Sequence, residues 1–235
     1  MRVTLHQLNF LPPLSFFAKW DSSDCLVAMD QLQFVHAAGK YHYANRCKLG
    51  DDKWCTVPVV QVFPQSICDA QIVANWRPRS VIDRIKNDYR KAPYVSRVQE
   101  GIGEAIQTFQ DSRRLSELNF LLLAWAAREL GIRKPIYLQS ELGLPEETDR
   151  DVRIVKTVRA VGGNIFVAGP SWSTYMNPAA YRDDGIKVEV SHYDMEPYDR
   201  GLRPWVPYMS VVDACCYQGD NAARFINTRL EEWNL

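Results

Sequence analysis

The chain has 235 residues, 46% of them hydrophobic, and 28 Lys and Arg balance 28 Asp and Glu. That length suits one sizeable core, and a zero net charge excludes a global field that would draw the protein to nucleic acid or an anionic membrane. No stretch approaches the ~20 apolar residues that span a bilayer, no targeting pattern opens the chain, and six cysteines without CxxC spacing read as reduced thiols of a cytoplasmic protein.

Val3–Leu5 is the first predicted strand. Pro12-Pro13 then open a helix through Phe16, Phe17 and Trp20, since proline loses nothing in a first helical turn. Cys25–Met29 is the second strand. From Phe34 to Pro64 the pattern is short and mixed, with the apolar run Cys55–Val60, and predicts a small β-rich excursion. Helices are expected over Ser80–Tyr89 and Gln99–Phe109. Leu118, Leu121, Leu122, Trp125 and Ala126 fall at helical spacing and mark a buried face, with Gly131 as its stop. Pro135–Leu138 is a strand, Asp151–Val161 a helix ended by Gly162-Gly163, and Ile165–Ala168 a further strand. Ile186, Val188 and Val190 alternate with polar residues as a strand with one wet face does. Short apolar strands alternating with helices predict a single α/β domain over 1–235, Rossmann-like in three layers. Its central sheet is mainly parallel and flanked by helices, with the β-rich excursion after the second strand.

Open parallel sheets bind ligands beyond the carboxyl ends of their strands. After the predicted strands stand His6-Gln7, Asp30, Ser140-Glu141, Gly169-Pro170-Ser171 and His192. His6 reads either as a proton acceptor working near neutrality or as a buried histidine satisfied by backbone. Asp30 either orients His6 or caps a turn. Asn45, Arg46 and Lys48 gather an amide and two cations that suit phosphate or carboxylate, although loop charges are usually just solvated. His36 and His42, with Tyr41 and Tyr43, fit no zinc spacing, and His192 continues the phase of its strand as a packing residue. Ser171 and Ser173 in GPSWSTY depart from GxSxG, and neither a P-loop nor GxGxxG occurs. Cys215-Cys216 could include a nucleophile but read first as buried helix residues.

The motifs HQLNFLPP, DQLQF, NRCKL, TVPV, YRKAPYV, LSELNFLL, QSEL, AGPSWSTY and SVVDACCYQG follow one another across nearly the whole chain. In that order they resemble the WbqC-like family of polysaccharide and natural-product biosynthesis clusters. Leu8 stands where the family has proline, Pro13 where it has tryptophan, and Gln31 in place of a second aspartate. The stretch VHAAGKYHYA is longer than usual.

The resemblance implies an acyl or aminoacyl transferase that forms an amide bond, for example placing glycine or another acyl group on an amine. Its expected catalytic residues are His6, with Asp30 or Asp213 holding the imidazole. Expected to bind substrate are Gln7, Asn9, Gln33, Asn45, Arg46, Lys48, Ser140, Glu141, Ser171 and Tyr175. No permanently bound cofactor and no metal are implied. The acyl donor would arrive on phosphopantetheine or as an adenylate, and the substrates would be small molecules or borne by a carrier protein. A homodimer fits this picture, with no nucleic-acid or membrane partner. Two alternatives stay open: a cysteine-dependent hydrolase or cyclase using Cys215 or Cys216, and a non-catalytic partner that binds a carrier.

Overall fold

The computed structural model describes residues 1–35, 43–109 and 112–234. His36, Tyr41 and His42, and most of the long VHAAGKYHYA stretch, lie outside them. Strand β1 (Arg2–Gln7) turns Val3 and Leu5 to one face and Thr4 and His6 to the other. It runs through His6 and Gln7, so that pair belongs to the strand rather than to the turn after it. Helix α1 (Leu14–Asp21) follows Pro13 and buries Phe16, Phe17 and Trp20. Strand β2 (Cys25–Met29) is buried at every position, as a strand covered on both faces must be.

The expected β-rich excursion reduces to one antiparallel hairpin, β3 (Arg46–Leu49) and β4 (Lys53–Thr56). Val57–Val60 leave the sheet, because Pro58 has no N–H to give a ladder, and only Val59 makes an isolated bridge, to Ile72. Three helices follow: α2 (Arg79–Asp88), α3 (Val95–Gln107) and α4 (Leu115–Glu129). Helix α3 starts four residues before its predicted position.

Strand β5 (Ile136–Leu138), helix α5 (Arg150–Ala160) and strand β6 (Ile165–Ala168) come next. The turn into β6 needs its glycine: a Cβ on Gly163 would sit 2.4 Å from Val3 Cγ2. Helix α6 (Pro178–Asp183), strand β7 (Lys187–Tyr193), helix α7 (Val211–Gln218) and strand β8 (Thr228–Trp233) complete the chain.

The six-stranded sheet has the order β5-β2-β1-β6-β7-β8, parallel except for β8. With the hairpin set aside, this is the 3-2-1-4-5-6 order of a doubly wound fold. The α/β reading with a mainly parallel sheet therefore holds. Helices α1, α4 and α7 and the hairpin cover one face, around Phe17, Leu26 and Trp125. Helices α5 and α6 cover the other, around Val27, Val155 and Phe166. Opposite faces are required because right-handed crossovers leave β1 in one direction and return from β5 in the other. Among the described residues no helix is long and apolar enough to cross a membrane.

Candidate functional site

Five parallel strands end on one edge of the sheet, and most of the predicted residues stand there. Asp30 follows β2 and is 1% exposed. Its carboxylate accepts hydrogen bonds from Ser140 N (3.0 Å) and Ser140 Oγ (2.6 Å), and its carbonyl accepts one from Cys68 N (2.8 Å). The pairing of Ala28 with Leu138 sets this register and carries Asp30 level with Ser140, each two residues beyond that pair. Asp30 thus joins β2 to β5. It makes no hydrogen bond to His6.

His6 lies one residue before the end of the central strand, half-buried, with the Phe16 and His6 ring centres 4.6 Å apart in an edge-to-face arrangement. Its Nδ1 lies 3.1 Å from the Gln7 carbonyl. A carbonyl can only accept, so this contact selects the Nδ1–H tautomer and leaves the lone pair on Nε2. Lys19 reaches the same strand end and donates from Nζ to the Leu5 carbonyl at 3.0 Å. Burial, helped by the Lys19 charge, lowers the imidazole pKa from 6.5 to about 3. Burial lowers that of Lys19 from 10.5 to about 8. His6 is therefore a free base across the neutral range, and the expectation that it titrates near neutrality does not survive its surroundings.

Asp213 lies elsewhere. Its oxygens accept from Arg200 Nη2 (2.8 Å) and the Tyr198 hydroxyl (2.8 Å), with both charged side chains almost wholly buried. Arg200 also donates to the carbonyls of Gly50 and Pro204. Burial raises the Asp213 pKa against the pull of Arg200 and the tyrosine hydroxyls. This carboxylate anchors the β3–β4 hairpin to α7 and does not reach His6.

The hairpin cations are engaged locally. The Arg46 guanidinium carbon lies over the Trp54 ring, 4.1 Å from its centre. Lys48 pairs with Asp52 at 2.6 Å, and the Asn45 amide donates to the Val57 carbonyl at 2.9 Å. The hairpin nevertheless adjoins the turn after β1. Phe10 N donates to Tyr43 O (2.8 Å), and the Asn119 amide of α4 donates to both Leu8 O (3.3 Å) and Ala44 O (2.7 Å). Asn119 was not foreseen as a clamp, although LSELN carries it. Asn9, in the same turn, is buried with its Oδ1 unpartnered.

Of the remaining predicted residues, Gln7 is half-buried at the end of β1, while Gln33 is exposed and bridges Ser66. Glu141 and Ser171 are exposed at the ends of β5 and β6. Tyr175 lies under the Arg150 guanidinium, 4.8 Å away. Cys215 and Cys216 are buried in α7 with their thiol pKa values pushed up by burial, so neither is presented to a substrate.

Sequence reasoning missed a cavity of about 300 Å³ at this edge. Gln31 and Gln139 line it from the ends of β2 and β5, Cys68 and Asp69 from the preceding insertion, and Arg153 and Lys156 from α5. The only signal was position: these cations follow Leu142 of QSEL by 11 and 14 residues, but charges on a helix read first as a solvated face. No curated protein and no solved structure matches this chain. The model described as the WbqC-like protein family matches residues 7–225, from the end of β1 to beyond α7, and the chain belongs to that family.

Proposed function

We propose that this protein is an acyl or aminoacyl transferase that forms an amide bond in polysaccharide or natural-product biosynthesis. The observation that carries the reading is the placement of His6: its Nδ1–H is held by the Gln7 carbonyl and Nε2 is left to accept, near the end of the central strand, where the strand order reverses between β1 and β6. Nε2 takes a proton from the acceptor amine as its nitrogen attacks the donor carbonyl carbon. The C–N bond forms, the C–S bond of a thioester or the C–O bond of an adenylate breaks, and the thiol or nucleotide leaves. Asn9 offers an amide to the developing oxyanion. Arg46, over the Trp54 ring, is the cation assigned to the donor's phosphate. Direct attack needs no enzyme-bound acyl group, which suits the two buried α7 thiols.

The test offers the purified protein acyl and aminoacyl pantetheine thioesters with a panel of amines and reads amide product by mass spectrometry. His6→Ala and His6→Gln are each expected to lose about 10²–10⁴-fold in turnover while remaining folded by circular dichroism. An amide side chain keeps a hydrogen bond but cannot take the proton. Full turnover in a folded His6→Ala protein would dismiss this mechanism.

A cysteine-dependent hydrolase or cyclase is the second reading, and Cys68 is the thiol that favours it, since it lines the cavity with Ser66 Oγ 3.0 Å away. Burial raises the Cys68 pKa, so its resting thiol is protonated. Turnover that survives alkylation of Cys68 removes this reading.

A further inference from the structure

The cavity beside β2 and β5 holds a charge pattern that the transfer reading does not use. Lys156 Nζ and Glu147 Oε2 neutralise each other at 2.6 Å. Arg153 has no ion-pair partner among the described residues. Its Nη1 donates only to the Glu147 carbonyl (3.2 Å), and its Nε is buried without a partner. Facing the same space, Asp69, whose Oδ2 accepts from the Ser66 hydroxyl at 2.5 Å, and Glu146 also lack ion pairs among the described residues. Gln139, 2% exposed, contributes to the cavity wall, and its Oε1 is buried without a partner.

We propose that the cavity binds a small zwitterion, an α-amino acid in chemical class. Arg153 takes the carboxylate, and Asp69 or Glu146 takes the ammonium. One unpaired cation beside two unpaired carboxylates suits separated opposite charges and opposes a dianionic phosphate. The volume, at the lower end of the range of roughly 300–1,000 Å³ for ligand pockets, suits a small molecule. This deepens the transfer reading by naming the class of one substrate and rests on it only to that extent.

Titration calorimetry on the full-length protein tests the site without turnover. Glycine, L-alanine and L-serine are expected to bind saturably. N-acetylglycine, glycinamide and inorganic phosphate, each lacking one end of the zwitterion, are expected to bind about ten-fold or more weakly. Arg153→Met is expected to weaken glycine by a similar factor. Arg153→Lys, which keeps the charge but loses the fork, gives an intermediate loss and decides the matter if the methionine variant does not fold. Blocked derivatives that bind as well as the free amino acids, phosphate as the better ligand, or unchanged affinity in both Arg153 variants would each overturn the proposal. Amino-acid binding without any amide product would sink the transferase reading and leave this site standing, whereas amide product from a protein that binds no amino acid would do the reverse.

Discussion

Asp213 illustrates how a single carboxylate can look catalytic and be architectural. Removing one partner of a fully buried ion pair leaves the other charge uncompensated, at a cost of about 3–5 kcal/mol. Asp213→Ala is therefore expected to lose about that much stability in urea unfolding, with Arg200 stranded between the Gly50 and Pro204 carbonyls. Under the proposed transfer its turnover per folded molecule should match wild type, and a selective loss of turnover would return Asp213 to the proposed mechanism. His6 makes the opposite kind of prediction. Its folded pKa of about 3 lies below the ordinary 6.5, so between those values the unfolded chain binds more protons than the folded one. Stability should then fall as pH drops through that window. His6→Gln has no such group, and its melting temperature should decline less steeply than wild type over the same window. Equal slopes would mean that His6 is not buried as a neutral ring. His6 and Asp30 could be picked out beforehand because strand ends are visible as the points where apolar runs stop. Their partners could not: Asp30 meets a serine 110 residues away and Asp213 an arginine in a loop without periodicity.

At the scale of elements, α3 and α4 pack closely because Gly101 leaves room for the Trp125 indole. A Cβ there would lie 2.4 Å from Trp125 Nε1. Trp125 is fully buried and cannot swing out, so Gly101→Ala is expected to cost about 1–3 kcal/mol through overpacking. The gain in helix propensity from glycine to alanine, about 1 kcal/mol, offsets part of this. A variant more stable than wild type in thermal denaturation would show that the indole yields. Helix α4 was legible in the sequence because its apolar spacing is regular over more than two turns. Strand β8 was not. As an edge strand it exposes four of its six residues, so TRLEEW carries no alternation strong enough to read. The run Val57–Val60 failed in the other direction, its β-branched residues suggesting a strand that Pro58 forbids. Arg153 escaped notice because an unpaired cation differs from a solvated one only by what surrounds it.

Across the whole molecule, alternation of strands and helices was enough to foresee the parallel sheet, but not the insertion that separates β2 from β5. That insertion brings the hairpin and three helices to one face, and through Asn119 and Cys68 it touches both the turn after β1 and the end of β2. The turn is closed from still further along the chain: Val211 N donates to Pro12 O at 2.9 Å, and Ser210 bridges Pro13. The central strand β1 likewise waits for β6 to cover its second edge. During synthesis, the residues that open the chain are thus among the last to acquire their neighbours. At about 5–20 residues per second, roughly 10–40 s separate the emergence of Pro12 from that of Val211. Over that interval His6 belongs to a nascent chain that still lacks its surroundings, so the site proposed around it is complete only with the final helix and not with the strand that bears it.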